Sequence, residues 1–296
     1  MFAARSRGHA TAGELAMRQQ SYGAGDTRSE AGTGRSRRTP WRIGTVVRVR
    51  TDDLGTPYDG PPKATRVVSL VPSITEALAT DRREALVGAT DWCTRPADLG
   101  VPRVRGTKNP DLRAIRALEP DLVVANKEEN RELDVRRLRD AGVQVWVTEI
   151  ETVPEALDSL DRLYAVGLGW PRPDWLVRAR ALWDGPLPDA HRRVAAAIWR
   201  DPWMVVGART YTGDLLRRLG WENAFAGSDH RYPQVELADV DRDDIDLVLL
   251  PDEPYEFTAD DGPEAFARTS TRLVSGRLLT WYGPAMVEAF DTLSRG

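Results

Sequence analysis

The chain has one cysteine, Cys93, in 296 residues, so no disulfide can form within it. It is poor in lysine: of 41 basic residues only Lys63, Lys108 and Lys127 are lysines. Its three histidines, His9, His191 and His230, are too few for a multi-histidine metal site. No stretch approaches the roughly 20 apolar residues of a membrane-spanning helix. No G-x-x-x-x-G-K-[ST] phosphate loop, no G-x-G-x-x-G after a strand and no G-x-S-x-G elbow occurs, which removes the commonest signatures of nucleotide and serine-hydrolase chemistry. Asp239, Asp241 and Asp243 mimic the start of a calcium loop, but Asp244 replaces the required glycine and Leu250 the closing glutamate.

Apolar residues make up 41% of the chain, enough for a substantial core, and ten are tryptophans. Basic residues gather in 1–64 and leave the remainder acidic within a net charge of −4, which gives no general case for nucleic acid or membrane. Residues 1–64 read as a disordered basic leader and linker, with a short strand over Ile43–Arg50. No apolar run suited to a secretion signal follows a basic start. Ser36–Arg42 is only superficially like a twin-arginine motif, because Arg48 breaks the run behind it. These features predict a cytoplasmic protein, or an exported one if the true start differs from Met1.

The pattern predicts an α/β fold of two Rossmann-like lobes, 65–150 and 193–296, joined by a rigid helical bridge over 151–192. In the bridge Val153, Ala156, Leu157, Leu160, Leu163, Tyr164 and Leu168 recur at three- and four-residue steps, the spacing of one helix face. Trp170–Pro173 breaks that stripe, and Asp174 is a candidate cap for a second helix carrying Trp175, Leu176, Ala179, Leu182 and Trp183. Val67–Val71 reads as a buried strand, and Ser73 with Glu76 as a capping box opening the next helix. Leu278–Trp281 reads as a late strand.

Ligands of open α/β sheets sit beyond the carboxyl ends of the strands. Pro72, Ser73, Trp92, Lys108, Asn126, Lys127, Trp203, Tyr211, Arg231, Tyr232, Trp281 and Tyr282 fall in or beside such loops. Flat aromatic walls with a few cations suit a large planar or amphipathic ligand. Cys93 and His230, one from each lobe, are candidates for a thiolate–imidazole pair or for metal ligation, without an evident third residue to orient them.

Arg66-Val-Val-Ser-Leu-Val-Pro-Ser-Ile-Thr-Glu76, Val87–Trp92, Ala114–Val124, Glu222–Phe225 and Tyr232–Val235 together resemble the vitamin B12 and iron-siderophore binding proteins of bacterial importers, and the cobalamin-binding branch most. The resemblance covers roughly 65–294. It implies a helical-backbone fold, a ligand in the cleft and little closure on binding. It places Trp92, Tyr232 and Trp281 at aromatic cleft positions and Asn126 and Lys127 beside them. Thr107 and Lys108 stand where B12 binders often carry a tryptophan. At the two points where such proteins present carboxylates to a permease, this chain has Arg113 and, near Ala238, Asp239. A positive charge opposite a permease arginine repels it, which argues against docking on an ABC permease. The resulting expectation is a monomeric, non-enzymatic, stand-alone binder of a corrinoid, another tetrapyrrole or a metal chelate, with no covalent cofactor. Its alternatives are a true importer subunit and a small enzyme using Cys93 and His230.

Overall fold

The computed structural model describes residues 50–294. The expected leader through Val49 and most of the Ile43–Arg50 strand lie outside the described residues. The first sheet is built from β1 (Val67–Ser69), β2 (Leu86–Ala89), β5 (Leu122–Asn126) and β6 (Val145–Thr148), in the order β2-β1-β5-β6 and all parallel. Between them stand α1 (Pro72–Arg82), the two-residue hairpin strands β3 (Arg105–Gly106) and β4 (Asn109–Pro110), α2 (Leu112–Ala117) and α3 (Glu132–Asp140).

Strand residues alternate strictly between faces. Val67, Leu122 and Val124 pack on one side; Val68, Val123, Ala125, Val145 and Val147 pack on the other, beneath Ile115 of α2 and Leu138 of α3.

Helix α4 (Val153–Arg162) opens with a true capping box. Thr152 accepts from the Glu155 N–H and the Glu155 carboxylate accepts from the Thr152 N–H. It runs on through a π-helical turn, Leu163–Leu168, and stops at Gly169 in the left-handed conformation, φ 65°. A Cβ at Gly169 would lie 1.8 Å from the Pro62 carbonyl oxygen, so only glycine lets residues 60–64 pass so close. The next helix, α5 (Asp174–Trp183), begins after Pro173 with no side-chain cap. Asp174 is therefore a first-turn residue and not the cap expected. Arg180 on α5 pairs with Asp158 at 2.7 Å and Asp161 at 2.6 Å on α4, so the bridge is two helices side by side.

The second sheet contains β7 (Arg192–Trp199), β8 (Met204–Val205), β9 (Trp221–Asn223), β10 (Leu247–Pro251) and β11 (Thr271–Val274). β11, β10, β7 and β9 are parallel, and β8 folds back antiparallel on the end of β7. Helix α6 (Tyr211–Arg218), the short α7 (Leu237–Val240), α8 (Gly276–Thr280) and α9 (Ala285–Leu293) complete the lobe. The strand expected at Leu278–Trp281 is instead α8 and the residue after it. The edge strand is β11, whose mixed Thr-Arg-Leu-Val sequence has no clear apolar run. Among the described residues no helix is long and apolar enough to cross a membrane.

One hydrophobic cluster joins the two lobes. Val67 and Leu122 of the first sheet, Leu157, Leu160 and Leu176 of the bridge, and Val194 and Leu249 of the second sheet all belong to it. Each such side chain, fully buried, contributes about 1.5–3 kcal/mol. A core shared by both lobes and the bridge opposes shear between them.

Residues 50–64 are not the free linker expected. Asp52 accepts from Arg139 Nη2 at 2.6 Å and from Val147 N, and Asp53 accepts from Arg162 Nη2 at 2.7 Å and from the Ser159 hydroxyl. Tyr58 meets Trp146 edge-on at 5.4 Å and donates its hydroxyl to Gly167 O. Burial pushes the Tyr58 phenol up to about 12. The segment straps the first lobe to the bridge.

Candidate functional site

Parallel strands put their following loops on one edge, and there the lobes meet. In the first lobe the β5–α3 loop is shaped by Asn126. Its Oδ1 accepts from Glu128 N at 2.8 Å and Glu129 N at 3.2 Å, its Nδ2 donates to Thr148 Oγ1, and its backbone N–H donates to Asn130 Oδ1. Asn126 is buried, so it shapes the loop that carries Lys127, Glu128 and Glu129. Lys108 Nζ donates to the Glu128 carbonyl from the β3–β4 turn, and burial lowers its ammonium pKa against the pull of Glu129 and Glu128. Lys127 forms an ion pair with Glu149.

In the second lobe the Ser228–Pro233 loop lies on Gly207. A Cβ there would be 2.2 Å from His230 O, and Gly207 N donates to Arg231 O at 2.7 Å. This close approach sets Arg231 and Tyr232 facing the first lobe. Arg231 donates to Glu128 at 2.7 Å and also to Glu151; the Tyr232 hydroxyl donates to Glu128 at 2.7 Å. Burial and the Glu128 charge hold the Tyr232 phenol well above its ordinary range.

Tyr282, just before α9, is buried against Tyr211, ring centroids 5.9 Å apart. Its hydroxyl has no hydrogen-bond partner. Ser73 lies in the first turn of α1, also buried and also unpartnered. The capping box expected of Ser73 and Glu76 does not form. Pro72 already occupies the first helical position, so the cap is Val71 and Ser73 stands two residues past it, inside the helix. Glu76 is taken by Arg277 of α8, at 2.8 Å.

Trp92 is 56% exposed beside Gly106 of the β3–β4 turn, and the mostly buried Trp281 lies next to the Glu253 carboxyl. Burial, then Asp252, push that carboxyl up, against the pull of Trp281, Arg95 and Arg277. Glu129 is pushed up to about 8, by burial first, then by Glu128 and Glu253, with Lys108 opposing.

Trp203 is not with these residues. It stacks on Phe257 at 5.8 Å and meets Phe266 edge-on, in the core on the opposite face of the second sheet from Tyr211. Cys93 is fully buried, its sulfur bonded to the Thr75 and Thr90 hydroxyls, and burial raises its thiol pKa. His230 is exposed, with its N–H given to Ser228 Oγ. A thiol that resists ionisation and is held by two threonines is not an activated nucleophile, so the pair gives no support for catalysis. Among the described residues no group of three or more acidic, cysteine or histidine side chains could hold a metal ion.

Sequence reasoning missed Glu128, Glu129, Glu151 and Glu253. The paired glutamates directly after a buried strand were the available signal, but acidic loop residues are ordinarily solvated.

No family model matches the chain. The vitamin B12-binding protein of Salmonella typhi is 30% identical over 187 residues, which are 60% of this chain and 68% of that protein. The solved periplasmic vitamin B12 binding protein BtuF of Vibrio cholerae superposes with a TM-score of 0.61 at 18% identity, over 78% of this chain and 96% of that one. The periplasmic heme-binding protein RhuT from Roseiflexus sp. RS-1 does so with 0.63 at 19% identity, over 78% and 98%. These relatives are binding proteins, and both solved ones are periplasmic, which overturns the cytoplasmic expectation. The two-lobed helical-backbone fold is common to this chain and both solved structures. By its similarity to the Salmonella protein, over two thirds of that protein's length, and by this fold, the chain belongs to the vitamin B12/iron-siderophore family of periplasmic binding proteins.

Proposed function

We propose that the chain binds a metal tetrapyrrole, a corrinoid or a heme, in the cleft between its lobes, as the substrate-binding subunit of an importer. The observation that carries this reading is the meeting of Arg231 and Tyr232 from one lobe with Glu128 and Glu151 from the other, in a fold whose relatives bind such ligands. Trp92, Tyr232, Trp281, Tyr282 and Pro72 supply apolar surface, and Ser73, Lys108, Lys127 and Arg231 the polar contacts. The shared core favours a cleft that is largely formed before the ligand arrives. A permease partner would meet exposed Arg113 on one lobe and exposed Asp239 on the other, so it would have to offer charges of opposite sign at the two points.

Tryptophan fluorescence of the purified chain, titrated separately with hydroxocobalamin and hemin and corrected for absorbance, tests the reading. Saturable quenching at about micromolar concentration or below is expected. Trp92→Ala should weaken binding about tenfold, as the loss of an exposed aromatic wall would. Absence of a saturable response to either ligand would remove the proposal.

A further inference from the structure

The ion pairs that join the lobes differ in exposure. Arg277 of α8 forks onto Glu76 of α1, its Nη2 2.8 Å and its Nε 3.0 Å from Oε1, and the two side chains are only 12% and 14% exposed. Arg231 meets Glu128 and Glu151 with side chains 23%, 30% and 42% exposed. Breaking a buried fork strands desolvated charge, which is costly. Water and salt replace a half-exposed pair at little cost. The Arg277 contact is therefore a fixed joint, and the Arg231 contact is one that opens readily.

Opening it does not require the lobes to part, and the shared core opposes their shear. The backbone beneath the contact is pinned on both sides. Gly207 N donates to Arg231 O at 2.7 Å and Val205 N to Pro233 O at 3.1 Å, while Asn126 Oδ1 accepts from Glu128 N at 2.8 Å. What can move is the side chains of Arg231 and Tyr232, which converge on Glu128, one at each carboxylate oxygen. Their closed arrangement is also incomplete. Arg231 Nε is buried without a hydrogen-bond partner, and an unsatisfied buried donor weighs against the conformation that buries it. Because these side chains reach from one lobe to the other, a ligand entering between the lobes has to displace them.

Resting on the reading of the cleft as a tetrapyrrole site, we propose that Arg231 and Tyr232, closed on Glu128 and Glu151, form a side-chain gate that the ligand must open, while Arg277 and Glu76 hold the lobes in register. The closed gate competes with the ligand. It lowers the fraction of molecules ready to bind, and the apparent affinity falls by that fraction. Once open, the Arg231 guanidinium and the Tyr232 hydroxyl are released to donate to the ligand, so the same two side chains block the empty cleft and serve the occupied one.

Stopped-flow tryptophan quenching of the full-length protein, with hydroxocobalamin and separately with hemin, tests the gate. The association rate and the affinity are compared between the parent chain and Glu128→Gln with Glu151→Gln. The variant keeps Arg231 and Tyr232 but removes the counter-charges, so the closed gate is weakened and the open one is not. Association should quicken and affinity should tighten, each by about threefold to tenfold, the size expected for two partly exposed pairs. A contact that only braces the lobes would change binding the other way or not at all. If the double variant fails to fold, as judged by circular dichroism, Glu151→Gln alone, at the more exposed carboxylate, should quicken association about twofold. An unchanged or slower association in the folded variant, with the parent chain binding either ligand, overturns the gate and leaves the cleft reading standing. Binding by the variant and not by the parent supports both. Binding of neither ligand by either protein overturns both.

Discussion

Arg231 in the second lobe donates to Glu128 in the first at 2.7 Å, across 103 residues of sequence. Glu151 takes another nitrogen of the same guanidinium, and Tyr232 the other oxygen of the same carboxylate. The arginine and Glu128 are 23% and 30% exposed, so the pair lies between a solvated surface bridge and a buried one. Arg231→Ala should lower stability by about 1–2 kcal/mol, intermediate between those two cases. Urea unfolding measures it. A double-mutant cycle with Glu128→Gln should return a coupling of about 1 kcal/mol. A coupling near zero would mean that the lobes are held by the shared core alone.

The strap over residues 50–64 makes a separate prediction. Asp52 is buried, pairs with Arg139, and also accepts from Val147 N, Leu54 N and Thr56 N. Asp52→Ala leaves those donors without their acceptor and should cost about 2–4 kcal/mol. The urea midpoint should fall, and limited proteolysis should cut within 50–64 faster than in the parent chain. A loss of less than about 0.5 kcal/mol, the range of ordinary surface changes, would show that the strap is not held through Asp52.

Glu129 predicts a pH dependence. Its carboxyl titrates at about 8 in the folded chain against an ordinary 4.5, facing Glu128, Lys108, Glu253 and Tyr282. Between those values the folded state holds a proton that the unfolded state has released. This contribution to stability is therefore full below about 4.5 and is lost as pH rises through about 8. Glu129→Gln should flatten the decline in urea midpoint between about pH 5 and 8.5. An unchanged slope would show that the group titrates normally.

Cys93 should react slowly with thiol reagents in the native protein and quickly in denaturant, because the reactive form is the thiolate and burial opposes its formation. Cys93→Ser should leave corrinoid affinity within about twofold, since the residue bonds inward to Thr75 and Thr90. Fast native labelling, or loss of binding, would place the thiol in the cleft after all.

Most of the fold was legible because its signals are local. The runs Val67–Ser69, Leu122–Asn126 and Leu247–Pro251 are buried on both faces and read as continuous apolar strands. The stripe from Val153 to Leu168 gave the first bridge helix its length. Errors came where a local pattern had two readings. Ser73 and Glu76 have the spacing of a capping box, but Pro72 takes the first helical position and moves the cap to Val71. Leu278–Trp281 is apolar enough for a strand, yet it packs as a short helix and its end over the sheet.

The site was legible only in part. Trp92, Lys108, Tyr232, Trp281 and Tyr282 were singled out as candidates because they follow strands, which is a property of chain order. Trp203 follows a strand too, but its ring turns to the other face of the sheet and stacks on Phe257. Which side of a sheet a loop residue covers depends on partners far along the chain. Periodicity and strand order were enough, from sequence alone, to determine the α/β lobes and the helical bridge, because hydrogen-bond geometry and apolar spacing act within a few residues. Which charges meet between the lobes was decided only by the tertiary structure. Arg231 with Glu128, Arg277 with Glu76, and Glu129 facing Glu253 are encounters between segments a hundred or more residues apart, and no local pattern encodes the packing that brings them together.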